Sequence, residues 1–163
     1  MVKKGQAAME FLMTYGWAIL VVLAAIGALA YFGVLSPQNL LPERTTFQAP
    51  LPNIDTAVVG ENNLEVAFRN NVGVSITIDN TSAALEFDGA TCTNPQLSGT
   101  HDGAAIDDTT IISNGDVFLI RWTCDTVTGI ADGDRFKADA SFDYTNTQTT
   151  QTRTHRGAIE GRW

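Results

Sequence analysis

Between Glu10 and Glu43 the chain carries no charged residue, a gap of 32 positions. Within it, Phe11 to Leu35 reads FLMTYGWAILVVLAAIGALAYFGVL and is almost wholly apolar. An α-helix rises about 1.5 Å per residue, so about 20 residues cross a hydrocarbon layer about 30 Å thick. A globular core seldom needs so long an apolar helix, so a bilayer or a helix bundle is the expected surrounding. Gly27 and Gly33 are tolerated in such a medium, and Pro37 marks the expected end of the helix.

Met1-Val2-Lys3-Lys4 supplies a short basic segment before the helix. A cleaved secretory signal has the same kind of start. Here, however, the apolar stretch exceeds an ordinary signal core, and no convincing A-x-A cleavage site followed by a mature start is evident near Leu35. Lys3 and Lys4 instead set the topology, with the N-terminus cytoplasmic and the remainder outside. Small residues recur on the helix: Ala24 and Ala28 lie one turn apart, and Gly27, Ala30 and Gly33 follow an i, i+3 row. Such rows let helix backbones approach closely where no water drives association.

The junction Lys3-Lys4-Gly5-Gln6-Ala7-Ala8-Met9-Glu10-Phe11 resembles the class III signal peptide of archaeal type IV pilins and adhesion-filament subunits. In that family a short basic leader ends in glycine, and Gln-x-x-x-Glu-Phe opens a hydrophobic helix. Leu12 to Leu20 continues the likeness, whereas Ala8 stands where many members carry serine. Archaellins usually lack the Glu-Phe here, and bacterial pilins usually place phenylalanine after the cleavage glycine. The likeness covers about residues 1–35 and is only architectural beyond them.

The resemblance implies cleavage between Gly5 and Gln6 by a membrane-embedded prepilin peptidase. It also implies assembly by a pilus ATPase and membrane platform into a helical homopolymer. Residues 1–5 would then be a leader, 6–36 a transmembrane and filament-core helix, 37–52 a Pro-rich connector, and 53–163 an extracellular domain. The precursor would reside in the cytoplasmic membrane and the product in a cell-surface filament. Glu10 bears on assembly by its own chemistry. A carboxylate driven to mid-bilayer depth costs on the order of 2.5 kcal/mol or more. Cleavage would create an α-amino group on Gln6, and Glu10 of one subunit could pair with that amine of its neighbour. Pairing two otherwise stranded ions would favour one axial register, with Phe11 beside them. The alternative for Glu10 is a place at headgroup level. For the whole chain, the alternative is a minor pilin or an anchored extracellular binding domain that stays in the membrane.

The second half alternates short apolar runs with turn residues. Leu64–Phe68, then Asn70-Asn71-Val72-Gly73, then Val74–Ile78 reads as strand, turn, strand, and LEVAFRNNVGVSITI resembles a first hairpin of pilin head domains. Ala83–Phe87, Val117–Cys124 and His155–Trp163 are further expected strands. The cleanest alternation runs from Phe136 through Ala138, Ala140 and Phe142 to Tyr144, with Lys137, Asp139, Ser141 and Asp143 on the other face. The fold class expected is α+β, a long N-terminal helix followed by an antiparallel β-sandwich. The Thr-rich run Thr145–Thr154 suits a polar edge strand or hairpin.

Cys92 and Cys124 are the only cysteines. In an exported domain an even count suggests a disulfide, the alternative being two buried thiols. No CxxC motif supports a redox enzyme or zinc site. Asn80-Thr81-Ser82 is the only glycosylation sequon. The acidic turn residues, such as Asp102, Asp107 and Asp132, have no EF-hand spacing. Eighteen acidic against 10 basic side chains give a net charge of −8, which argues against nucleic acid as a partner. No nucleophile-elbow, P-loop, dinucleotide or HExxH motif occurs. No enzymatic activity, cofactor or metal is therefore expected.

Overall fold

The structure, a computed structural model, describes residues 3–32 and 42–163. The chain divides into two units, residues 1–41 and 42–163.

In the first unit a single helix, α1 (Lys3–Tyr31), runs for 29 residues. It begins before Gln6, because nothing in Lys3-Lys4-Gly5 opposes helical geometry strongly enough to delay the start. Its apolar part, Ala8–Tyr31, has a mean hydropathy of 2.1. The Thr14 hydroxyl donates to the Glu10 carbonyl at 2.8 Å, which satisfies a polar group within the helix itself. The expected helix end at Pro37 lies outside the described residues.

The second unit is built from eleven strands. In chain order these are β1 (Arg44–Phe47), β2 (Val58–Val59), β3 (Asn63–Arg69), β4 (Ile76–Phe87), β5 (Thr91–Thr93), β6 (Gln96–His101), β7 (Ala104–Ala105), β8 (Val117–Thr123), β9 (Thr126–Thr128), β10 (Arg135–Asn146) and β11 (Thr152–Arg162). One sheet has the order β1-β11-β10-β4, a second β2-β3-β8-β6-β7, and β5-β9 form a small ribbon. All strand pairings are antiparallel. The expected α+β architecture is thus present, with a sandwich-like β unit.

The core forms where the inner faces of the two sheets meet. Phe136, Ala138, Ala140, Phe142 and Tyr144 of β10 are all buried, as the period-two pattern requires. Opposite them lie Leu64, Val66 and Phe68 of β3 with Phe118, Ile120 and Trp122 of β8. Phe68 is the hub, its ring centroid 4.8 Å from Phe47 and 5.2 Å from Phe142. The Trp122 indole N–H donates to the Ser141 carbonyl at 3.1 Å and ties β8 to β10 across the layers. Gly157 is required beneath Phe47, since a Cβ there would meet that ring at 2.4 Å.

Two expectations are corrected. First, Leu64–Phe68 and Val74–Ile78 are not a hairpin: β3 pairs with β2 and β8, whereas β4 pairs with β10 in the other sheet. The intervening residues switch sheets around Asn70, which is fully buried. Its side-chain N–H groups donate to the Val74 and Ile112 carbonyls at 2.9 and 3.0 Å. Its Oδ1 accepts from the Val72 N–H at 3.0 Å. Second, the separate segments ending at Ile78 and beginning at Ala83 are one strand, interrupted where the register to β10 shifts between Ser141 and Asp143. The Thr-rich run closes the β10–β11 hairpin, one of the two forms expected of it, and β1 flanks β11 only from 157 to 160. In addition, β1 forms inside the stretch read as connector, so the β unit starts ahead of residue 53.

Candidate functional site: the N-terminal helix and its junction

On the helix, the residues singled out from sequence share one continuous element. Gly5, Gln6, Glu10 and Phe11 fall in its first turns, and Ala24, Gly27 and Ala28 in its last third. Lys3 and Lys4 open it, ahead of the Gly5–Gln6 bond. Gln6 and Glu10 are four apart and therefore share a helix face. Phe11 stacks on Tyr15 at the same spacing, with centroids 4.5 Å apart.

Large apolar side chains stand exposed all around α1: Trp17 is 67% exposed, Leu20 67% and Leu23 63%. Nothing lies within 4 Å of where a Cβ would sit on Gly16 or Gly27, so both glycines leave the backbone open to a neighbour. A helix apolar on every side needs an apolar surrounding over its whole circumference. The charge pattern is equally one-sided, because Glu10 is the only charged residue from Gly5 to Tyr31.

In the β unit, Cys92 and Cys124 form the disulfide, with Cα atoms 5.4 Å apart. The bond fastens the β5–β9 ribbon to the end of β8, and Cys124 is buried. Asn80 sits in the irregular part of β4. Its amide nitrogen donates to the Ile106 carbonyl at 2.7 Å. Its Oδ1 is buried without a hydrogen-bond partner. In the folded unit, the nitrogen that would carry a glycan is thus turned inward.

Sequence reasoning missed two buried polar groups, Asn70 and His155. His155 is 5% exposed, lies 5.5 Å from the Phe47 ring, and is 2.8 Å through Nε2 from the Leu51 carbonyl. Burial pushes its pKa below the usual value of 6.5, and the hydrogen bond to Leu51 opposes that shift only in part. The ring is neutral at neutral pH, with Nε2–H as the donor. Its place in the inward phase of β11 was the available signal. Among the described residues, no group of three or more His, Cys, Asp or Glu side chains is arranged to hold a metal.

No family model matches the chain, and no curated protein does. Among solved structures, the thioester domain of the Enterococcus faecium TIE86 protein aligns with a TM-score of 0.29 at 14% identity. The match covers 74% of this chain and 44% of that one, less than half of its length. What the molecule defines by itself is a membrane-anchor-like helix followed by a disulfide-bearing antiparallel β unit.

Proposed function

We propose that the chain is a structural subunit of an archaeal type IV pilus-like adhesion filament, assembled by bundling of α1 after cleavage between Gly5 and Gln6. The observation that carries this reading is the helix. It is apolar on all sides from Ala8 onward, bears one carboxylate near its start, and opens on the basic residues and the Gly-Gln-x-x-x-Glu-Phe junction. Its partners are the prepilin peptidase, the assembly ATPase and platform, the membrane before assembly, and other copies of itself.

Removal of residues 1–5 takes away Lys3 and Lys4, which hold the leader at the cytoplasmic face. The helix that remains carries the Glu10 carboxylate and the new Gln6 α-amino group, two opposite charges that can neutralise one another between subunits, in place of Lys3, Lys4, Glu10 and the Met1 amine. In the bundle, the Gln6 amine of one subunit neutralises Glu10 of the next. The disulfide suits an extracellular β unit, because such bonds persist in oxidising surroundings.

The test is the N-terminal sequence and intact mass of the protein in shear-released surface material. A start at Gln6 is expected. An intact Met1 start with all the protein retained in membranes would overturn the filament reading and favour an anchored binding domain.

A further inference from the structure

The outward face of the β1-β11-β10-β4 sheet sorts its charges along the strand direction. At one end Arg135 stands opposite Arg162, and in the next outward row Lys137 lies beside Glu160, which faces Arg44. Further along, acids face acids: Glu86 opposes Asp139, and Asp79 opposes Asp143. Like charges directly across a strand pair are unfavourable, and here the register produces three such pairs on one face, one basic and two acidic. Asp79 is held by the Thr81 N–H and hydroxyl at 2.9 and 2.6 Å. Among the described residues, no comparable side-chain bond compensates Asp139 with Glu86.

Between these ends the face is hollow. A groove of about 620 Å³ runs over the small residues Ala84, Ser141 and Ala158, with Glu86 and Asp139 on one side and Arg156 on another. It is floored by short side chains and flanked by two carboxylates, which suits the charged head of a long cationic side chain.

We propose that this face is a self-complementary docking surface for a second copy of the chain, packed face to face with antiparallel strands. A two-fold axis across the strands at the level of Asp139 reverses the rows while keeping each strand over its own counterpart. Lys137 of each copy then lies over Ser141 of the other, between Asp139 and Asp143. Arg135 falls over Asp143, and Glu160 over Arg156. The Asp139 and Glu86 carboxylates of both copies meet near the axis, and each Asp139 is flanked by an incoming Lys137. This is the isologous arrangement in which one patch satisfies itself. Strands of 4, 11, 12 and 12 residues, each residue covering about 3.4 by 4.8 Å, give a face of about 640 Å². Specific interfaces begin at about 600 Å² per partner. A polar helical filament contains no such two-fold axis, so the contact goes beyond the filament reading and would join copies in different filaments.

Both native cysteines are in the disulfide and no free cysteine exists, so one introduced thiol reports one position. Asp139→Cys and, on the outward face of the other sheet, Ser98→Cys are compared in the full chain in mild detergent under copper-catalysed oxidation. Disulfide-linked dimers are expected from Asp139→Cys and not from Ser98→Cys. Adding Lys137→Glu, or 1 M salt, should lower the dimer yield about tenfold, since several partly screened ion pairs are lost together. Equal yields at both positions would mean association through the helix alone and would overturn the proposal. Dimers insensitive to salt and to Lys137→Glu would overturn it as well. Because this readout does not involve Gln6 or Glu10, its failure is distinguishable from failure of the filament reading.

Discussion

Replacing both Cys92 and Cys124 with alanine should weaken the β unit by about 4 kcal/mol. The two residues are 32 apart, so the bond closes a loop of 33 counting both ends. With ΔS of about −2.1 − 1.5R ln n, that loop restricts the unfolded chain by about 12.5 cal/mol/K, or about 3.7 kcal/mol at 25 °C. The loop contains β6, β7 and β8, which are also held by their own pairings. The native structure should therefore survive the loss, since domains of this size are commonly stable by about 5–15 kcal/mol. The effect is best read by urea unfolding of the detergent-solubilised chain, following the β signal in circular dichroism. The midpoint should drop, and the m-value should rise because the uncrosslinked chain exposes more surface. A thermal scan should show a fall of about 15 °C. Simple reduction of the wild type keeps the sulfur atoms in place and should give the same loss within about 1 kcal/mol. A loss below about 1 kcal/mol with an unchanged m-value would refute the loop-entropy reasoning.

Four further outcomes follow from named groups. Glu10→Gln should leave membrane insertion intact and impair assembly, and normal filaments from that variant would exclude the ion pair with Gln6. The folded-state pKa of His155 lies below its unfolded value of 6.5, so the unfolded chain takes up the proton first. Stability is then complete above about pH 6.5 and declines as pH falls toward the folded-state value. Urea midpoints compared at pH 7.5 and 5.0 should show the decline, and His155→Gln should flatten it. Asn70→Ala leaves the Val74 and Ile112 carbonyls and the Val72 N–H without partners, and should cost about 3 kcal/mol in the same melts. Asn80 should carry no glycan, which the intact mass of surface material checks directly. Asn80→Ala should destabilise by about 1–2 kcal/mol through the abandoned Ile106 carbonyl.

How far the sequence discloses the fold depends on how evenly each strand divides core from solvent. β10 is legible because its inward positions are apolar and its outward ones polar without exception from Phe136 to Asp143. β4 hides its continuity. Ile76 and Ile78 face inward at even positions, Leu85 and Phe87 at odd ones, because the register shift at 80–83 inverts the phase. β6 has Gly99 at an inward position, where a Cβ would meet the Leu119 carbonyl at 2.6 Å. Leu97 is then its only apolar inward residue, too few to show a period of two. The Asn70–Gly73 segment carries genuine turn chemistry, yet a turn between sheets and a turn within one use the same residues. For the candidate site, the charge gap and the Gly5-Gln6 junction are visible without coordinates. The inward-facing Asn80 and the acid-on-acid register of β4 and β10 depend on pairings between distant residues and are not.

The placement of β11 also sets an order of events. The first strand of the β unit, β1, has β11 as its neighbour, with Arg44 opposite Glu160 and Phe47 opposite Gly157. The strand nearest the helix thus waits for more than a hundred residues to arrive before it gains a partner. If the chain emerges outside the cell helix first, β1 is the earliest strand to appear and among the last to be secured. Until then its backbone groups stay open to any passing strand. A chain halted before Thr152 would have every residue of its second sheet and still be unable to close its first. Completion of the β unit is therefore a check on the length of chain delivered, made before its first sheet can close.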